Sequence, residues 1–221
     1  IATQGAEITY LKVDENGLID LEELSNAIRT DTVAVITMLA NNETGVIQPV
    51  RKIAKIVHDK NSILICDATQ AIGKIKVDVQ QLGIDVMALS AHKLYGPKGV
   101  GALYLRRRNP RVTIDPLLHG GGHERGNRSG TLNVPGIVGL GKAIELVPEF
   151  IKDYQEKILP IRKYIESEIV KNNIGNILAQ EVNRIPNTIN VQLNQLKAET
   201  INKKLQHRIG ISTGSACSSA D

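Results

Sequence analysis

Residues 63–105 read ILICDATQAIGKIKVDVQQLGIDVMALSAHKLYGPKGVGALYL, and they carry the strongest signal of fold class in the chain. It contains three short apolar runs, at residues 63–66, 86–89 and 101–105, each with the length of a strand. Runs that are apolar throughout, without alternation, are typical of strands with both faces covered. The stretch therefore predicts buried strands in the middle of a layered domain.

The residues before this stretch continue the same alternation of strands and helices. Residues 33–39 form another apolar run, and residues 8–13 have the composition of a further strand. Asp20 and Glu23 resemble the capping pattern at the start of a helix, and Pro49 suits the first turn of another. Strands that alternate with helices predict an α/β fold with a mostly parallel sheet flanked by helices.

The pattern changes after the first two thirds of the chain. From Val147 to Ile169, apolar residues recur at steps of three and four, which predicts one long amphipathic helix that Pro160 kinks or interrupts. A strand is predicted at residues 188–193 and a helix from about Ala198. We therefore expect a smaller α+β lobe to follow the sheet domain.

Composition excludes several classes of protein. The chain has 221 residues, of which 42% are hydrophobic and 23% charged, so it is not expected to be disordered. It has no apolar run near the roughly 20 residues that a membrane-spanning helix needs, so no membrane association is expected. The net charge is +4, but with no Trp and one Phe there are few rings on which bases could stack, so no direct nucleic-acid binding is expected.

Polar residues stand where the apolar runs end. Asn41 and Asn42 follow one run, Asp67 follows the next, and the sequence Ser-Ala-His-Lys at residues 90–93 follows a third. In open α/β sheets, ligands bind beyond the carboxyl ends of the strands. A partly desolvated Lys93 would suit Schiff-base chemistry, because desolvation favours the neutral amine. Together with a strand-terminal carboxylate such as Asp67, which could keep a pyridine nitrogen protonated, it would suit a pyridoxal-phosphate site.

Each of these residues also has an ordinary structural interpretation. Taken alone, Lys93 fits a surface lysine, Asp67 fits a turn or helix cap, and Cys217 fits a free thiol near a chain end. Cys66 fits a small packed side chain inside a strand. Two cysteines do not make a disulfide framework, so a reducing compartment is favoured.

Five motifs together resemble those of the cysteine desulfurases. SAHKLYGPKG at residues 90–99 resembles the family's cofactor-lysine motif. DATQAIGK at 67–74, NNETG at 41–45 and GGGHERGNRSGT at 120–131 resemble three further blocks, and SACSSA at 215–220 resembles the loop of the catalytic cysteine. The resemblance implies a transferase of fold type I that depends on pyridoxal 5'-phosphate (PLP).

The resemblance assigns a role to each matching residue around the cofactor ring. Lys93 is implied to bind PLP as a Schiff base and to move a proton at the substrate carbon. Asp67 is implied to pair with the pyridine nitrogen and Gln70 to bind the phenolic oxygen. Asn42 matches an asparagine that lies beside that oxygen and the substrate carboxylate.

The phosphate end of the cofactor is implied to involve two copies of the protein. Ser90 and His92 match phosphate ligands within one subunit. Thr131 matches a threonine that reaches the phosphate of the cofactor in the partner subunit. The resemblance therefore implies a homodimer with composite sites.

Cys217 is implied to carry the step that distinguishes the family. Its thiolate would take sulfur from L-cysteine, leaving L-alanine and a persulfide. A sulfur-acceptor or iron–sulfur scaffold protein would receive the sulfur, for iron–sulfur cluster assembly or tRNA thiolation. We expect no structural metal site, although Cys217 is a candidate for transient binding of an iron–sulfur cluster.

Two alternatives share most of these motifs. One is selenocysteine lyase, which residues 38–45 and 186–188 would suit equally well. The other is an inactive, truncated paralogue that acts as a dimerisation partner. The setting is expected to be cytoplasmic in a bacterium, or mitochondrial or otherwise organellar in a eukaryote.

The resemblance also predicts that this chain is a fragment of a longer protein. Residues 1–148 correspond to a large cofactor-binding domain whose N-terminal part is missing, and residues 149–221 to the beginning of a small C-terminal domain. The family's N-terminal phosphate turn, its ring-stacking histidine and its arginine for the substrate carboxylate have no counterpart here. We therefore expect these 221 residues alone to be inactive.

Overall fold

A four-stranded sheet forms the centre of the computed structural model, which describes residues 5–194 and 197–212. The strands are β1 (Ala34–Met38), β2 (Ile63–Asp67), β3 (Val86–Ser90) and β4 (Gly101–Leu105), in that spatial order. The first three are parallel, and β4 pairs antiparallel with β3. The predicted, mostly parallel sheet is confirmed.

Four helices accompany this sheet: α1 (Leu21–Ala27), α2 (Val50–Asp59), α3 (Val79–Leu82) and α4 (Val134–Glu145). The helix predicted after Asp20 is confirmed, because the Asp20 carboxylate accepts hydrogen bonds from the backbone of Glu22 (2.7 Å) and Glu23 (3.1 Å). These bonds satisfy amide groups that the first turn of a helix leaves without partners.

The strand predicted at residues 8–13 is wrong. Only Val13 pairs, in a single antiparallel bridge to Ile19. Asp14 Oδ1 accepts hydrogen bonds from the backbone of Asn16 (2.9 Å) and Leu18 (2.8 Å), and this tight turn folds the chain back at once. The apolar residues before it give a strand-like composition but have no neighbouring strand in the described part of the chain.

The main core lies between the sheet and helices α1 and α2. Its fully buried side chains include Leu24, Ile53, Val57, Leu64 and Ile84. Burial of a side chain of this size stabilises a fold by about 1.5–3 kcal/mol. A smaller cluster, which includes Leu94 and Leu140, packs α4 beside the chain that leaves β3.

A buried aspartate contacts three separate segments at the amino-terminal edge of the sheet. The side chain of Asp85 is fully buried just before β3. Its Oδ2 lies 2.7 Å from the backbone nitrogen of Leu64 and 2.8 Å from His58 Nε2, and its Oδ1 lies 3.0 Å from Arg106 Nε. A buried carboxylate requires such partners, so Asp85 stabilises the edge that lies opposite the strand ends of the candidate site.

The long helix predicted after Val147 is confirmed, with one wide turn in it. It consists of α5 (Val147–Asp153), a π-helical turn (Tyr154–Ile158) and α6 (Leu159–Lys171). Pro160 has no N–H to bond the carbonyl of Glu156. The backbone N–H of Leu159 bonds the carbonyl of Tyr154, five residues back, so the predicted interruption takes the form of a π turn.

The last described elements form a small antiparallel sheet and a helix. These are β5 (Gly175–Ile177), β6 (Val191–Leu193) and α7 (Ala198–Leu205). The strand predicted at residues 188–193 is therefore shorter than expected, and the helix from Ala198 is confirmed. Among the described residues, no helix combines the length and apolarity needed to cross a membrane. The division of the chain at residue 149 stays a prediction.

Candidate active site

The three parallel strands bring the polar residues that follow them to one edge of the sheet. Met38 of β1 pairs with Asp67 of β2, and Asp67 pairs with Ala88 of β3. The backbone N–H of Leu39 also donates to the carbonyl of Asp67 at 2.8 Å. The chain segments that leave these strands, at residues 39–42, 67–70 and 90–93, therefore begin side by side.

Lys93 lies in a single 3-10 turn, Ala91–Lys93, directly after β3. The turn is held by the backbone of Ala91, which donates to the carbonyl of Val100 (3.0 Å) and accepts from Gly96 (2.9 Å). The lysine is exposed at the edge of the sheet. Its predicted position is confirmed, but the partial desolvation expected from the sequence is not observed, because the turn leaves the side chain on the surface.

Asp67 is the last residue of β2 and is also exposed. Its Oδ1 accepts a hydrogen bond from the backbone of Thr69 at 2.8 Å, so it begins the turn that follows the strand. Among the described residues, Asp67 Oδ2 has no hydrogen-bond partner. One carboxylate oxygen thus shapes the turn, while the other is available to a ligand.

Gln70 lies in that turn and contacts a lysine to which the sequence assigned no role. The Nζ of Lys74 donates to the backbone carbonyl of Gln70 at 2.9 Å and to its Oε1 at 3.2 Å. Lys74 is only 5% exposed. Burial, and secondarily the charge of Lys93, lowers the pKa of Lys74 to about 8. The spacing of four residues from Gln70 is the only signal in the sequence for this contact.

Ser90 and His92 form a pair beside Lys93. Ser90 Oγ lies 2.7 Å from His92 Nδ1, which places a hydroxyl and an imidazole within one hydrogen bond of each other. Both groups can donate hydrogen bonds to phosphate oxygens. The pair therefore has the chemistry expected of the two predicted phosphate ligands.

Asn42 is exposed in the loop after β1, which its neighbour Asn41 shapes. Asn41 Oδ1 accepts hydrogen bonds from the backbone of Glu43 (2.9 Å) and Thr44 (2.8 Å). This is the local bonding typical of asparagine in turns. The sequence included Asn41 in a motif without a role, and the structure indicates that it holds the loop that carries Asn42.

The same loop is packed against a segment from the far end of the chain. The carbonyl of Gly45 accepts a hydrogen bond from the backbone of Ile185 at 2.8 Å, and Val46 pairs with Arg184. Gly45 has a φ of +77°, and a Cβ atom there would lie 2.9 Å from Thr188 Cβ. Glycine is therefore required both by the backbone conformation and by the close approach.

We expect Gly45→Ala to lower the free energy of unfolding by about 2–4 kcal/mol, because backbone strain and overpacking add. Gly99→Ala is the matched control: Gly99 has a φ of +78° but nothing within 4 Å of an added Cβ. The Gly99→Ala variant introduces only the backbone strain and should lower the free energy of unfolding by about 1 kcal/mol. Urea unfolding of both variants measures the difference, and equal losses would contradict the role of the Thr188 contact.

Thr131 is not joined to this edge by the described contacts. Thr131 is exposed in the loop before α4, and no hydrogen bond within the described ranges links it to Ser90, His92 or Lys93. The buried Ser129 holds that loop, since its Oγ accepts from the backbone of Gly122 at 3.2 Å. Cys217 lies outside the described residues, and its predicted role stays a prediction.

Cys66, the other cysteine, is buried in β2 as expected of a packed side chain. Burial, with a smaller effect of the Asp67 charge, raises the pKa of its thiol to about 12. It is therefore a thiol and not a thiolate near neutral pH, and it is not a nucleophile. Within residues 5–194 and 197–212, the structure contains no group of three or more His, Cys, Asp or Glu side chains that could hold a metal.

The polar groups at this edge fit the polar groups of PLP. The free oxygen of Asp67 suits a protonated pyridine nitrogen, the amine of Lys93 suits the aldehyde, and the Ser90–His92 pair suits the phosphate. All four residues lie at or just beyond the carboxyl ends of parallel strands β2 and β3, where ligands bind in open α/β folds.

Comparison with known proteins gives concordant relatives. The aminotransferase class-V profile matches residues 1–220. Cysteine desulfurase IscS of Neisseria meningitidis is 45% identical over 98% of this chain and 53% of its own length. The mitosomal cysteine desulfurase of Trachipleistophora hominis is 44% identical over 98% of this chain and 50% of its own length.

A solved structure described as a NifS-like protein has the same fold. It superimposes with a TM-score of 0.86 at 39% sequence identity, over 93% of this chain and 56% of its own. The chain thus spans about half the length of the relatives that it matches. Those relatives include a bacterial protein and a mitosomal one.

Proposed function

The chain belongs to the aminotransferase class-V family, and we propose that it is the cofactor-binding part of a PLP-dependent cysteine desulfurase. The observation that carries the proposal is the position of Asp67, Ser90, His92 and Lys93 at the carboxyl ends of two adjacent parallel strands. The proposed substrate is L-cysteine, and the proposed products are L-alanine and a persulfide on Cys217.

Each described residue has a defined task in this proposal. PLP, when bound, would withdraw electrons from the α-carbon of the substrate. The Lys93 amine binds the cofactor and moves a proton at that carbon, while the Asp67 carboxylate holds the proton of the pyridine nitrogen. Ser90 and His92 bind the phosphate. Asn42 orients the substrate carboxylate from the loop that Asn41 shapes.

The proposed sulfur transfer balances without an outside oxidant or reductant. The Cys217 thiolate attacks the sulfur of L-cysteine, so an S–S bond forms as the C–S bond breaks. The electron pair of the C–S bond stays with the β-carbon of the substrate, which takes up a proton to become the methyl group of L-alanine. The carbon is reduced, and sulfur is oxidised to the persulfide level.

We also propose that a second copy of the chain packs against α4. Val134, Ile137 and Val138 lie on one side of this helix and are 59%, 41% and 66% exposed. An apolar helix face of this kind is unfavourable in water unless a partner covers it. Because α4 directly follows the loop of Thr131, a partner on this face supports the composite phosphate site.

Further partners follow from the persulfide. A sulfur-acceptor or iron–sulfur scaffold protein would take the sulfur from Cys217, and the same thiol is proposed to bind an iron–sulfur cluster transiently. The proposed setting is a bacterial cytoplasm or a eukaryotic organelle such as the mitochondrion.

Reductive trapping tests the proposal directly. We expect borohydride reduction of the protein mixed with PLP to leave a pyridoxyl group on Lys93, at least about tenfold more than on any other lysine. The internal control is Lys98, which is also exposed and lies in the same segment. Peptide mapping by mass spectrometry measures both. Equal labelling of Lys93 and Lys98, or none, would contradict the proposed site.

A further inference from the structure

Lys74 is buried without the partner that a buried ammonium group normally has. Only 5% of the residue is exposed, yet within the described parts of the chain no carboxylate lies within ion-pair distance of it. Both of its hydrogen bonds go to one residue, at 2.9 Å to the carbonyl of Gln70 and at 3.2 Å to its Oε1. Burial of a cation with neutral partners alone is unfavourable, so this arrangement calls for an explanation beyond packing.

The chemistry of the two side chains determines how the Gln70 amide is turned. A lysine ammonium group has three donors and no acceptor, whereas a glutamine amide has one oxygen and one NH2 group. Only the amide oxygen can therefore face Lys74. The NH2 group is left on the other side of the amide, where it can donate to a ligand and cannot accept.

We propose that Lys74 is a positioning residue, which holds the Gln70 amide so that its NH2 group donates to the phenolic oxygen of PLP. The inference rests on the proposed function, since it requires the cofactor at this edge. The phenolic oxygen is an acceptor, so an amide turned the other way would bring two oxygens together. Lys74 thus selects between a favourable and an unfavourable contact without touching the cofactor.

The electrostatics of the site agree with this assignment. The pKa of Lys74 is lowered to about 8, first by burial and then by the charge of Lys93. Near pH 7 most molecules still carry the ammonium form, which is the form that cannot accept a hydrogen bond. Because the charge of Lys93 lowers the pKa of Lys74, the two amines lie close enough to interact electrostatically.

The test uses the protein loaded with PLP, and its readout is the pH at which the visible absorption of Lys93-bound cofactor changes. We expect Lys74→Met to raise this pH by about one unit, because the bound phenolic oxygen loses its donor. Gln70→Ala should raise it similarly. Lys76→Met removes the same charge from an exposed position nearby and should leave the pH unchanged.

The double variant separates action through Gln70 from direct action of the charge. If Lys74 acts through Gln70, at least half of the Lys74→Met shift should disappear in the Gln70→Ala background. A full shift in that background, or a lowered melting temperature with no shift, would overturn the proposal. Should Lys74→Met fail to fold, Lys74→Gln, which also lacks the charge, replaces it in the same double-mutant cycle with Gln70→Ala.

The same samples distinguish this inference from the proposed function. In the longest form of the protein that folds, a wild type that shows Lys93-bound cofactor but releases no sulfur would contradict the desulfurase proposal. It would leave the Lys74 inference standing if the single and double variants behave as expected. A wild-type protein with no Lys93-bound cofactor would overturn both.

Discussion

Sulfur release from L-cysteine is expected to fall more than about a thousandfold when Cys217 is replaced with alanine, because the variant lacks the proposed nucleophile for the substrate sulfur. Selenium release from L-selenocysteine should stay within about tenfold of the wild-type rate, since selenium can leave without a protein nucleophile. The measurement is alanine formation from each substrate, at matched cofactor loading, in the longest form of the protein that folds.

Cys66→Ala is the matched control for this experiment. Its thiol is buried and has a raised pKa, so its loss should cost about 1 kcal/mol of stability and leave the turnover of L-cysteine unchanged. Unchanged sulfur release by Cys217→Ala would overturn the desulfurase mechanism. A wild-type enzyme that acts on L-selenocysteine alone would instead support selenocysteine lyase.

Replacement of Lys93 with alanine is expected to abolish covalent cofactor binding and to lower alanine formation by more than about a thousandfold. In the proposed function Lys93 both binds the cofactor and moves the proton, so a single change would remove both tasks. Because the side chain is exposed, the free energy of unfolding should change by no more than about 0.5 kcal/mol.

Lys98→Ala controls for the loss of a positive charge in the same surface segment. It should retain the visible absorption of the bound cofactor and the turnover of the wild type. Retention of either property by Lys93→Ala would show that another lysine binds the cofactor, and the site proposed at the end of β3 would then be wrong.

The strands of the sheet could be predicted from the sequence because they leave a record of short apolar runs, as at 63–66 and 86–89. The prediction that both faces are covered is wrong for one face of the described sheet, where Ile36 is 64% and Leu103 50% exposed. The same record led to an error at residues 8–13, because composition does not reveal whether a neighbouring strand exists. The residues of β4 likewise do not indicate that this strand pairs antiparallel. It follows from the short connection at residues 91–100, which has no room for the crossover that a parallel strand needs.

Asp67 and Lys93 could be predicted because they follow apolar strands directly, and local sequence determines that position. Lys74 could not, because its burial depends on packing with residues distant in the chain. Gly73 beside it illustrates this, since a Cβ atom there would lie 3.3 Å from Leu94. The relation of Thr131 to the phosphate stays a prediction for a different reason, because it requires a second copy of the chain.

The bond between Asn190 Nδ2 and the carbonyl of Glu43, which joins residues 147 positions apart, has a consequence for biosynthesis. A ribosome adds about 5–20 residues per second, so Asn190 is added roughly 7–30 s after the Asn42 loop to which it bonds. Strands β1 to β3 are complete well before then. The segment that carries Lys93 is therefore synthesised before the residues that hold the Asn42 loop, and we expect the two parts of the proposed site to form in that order.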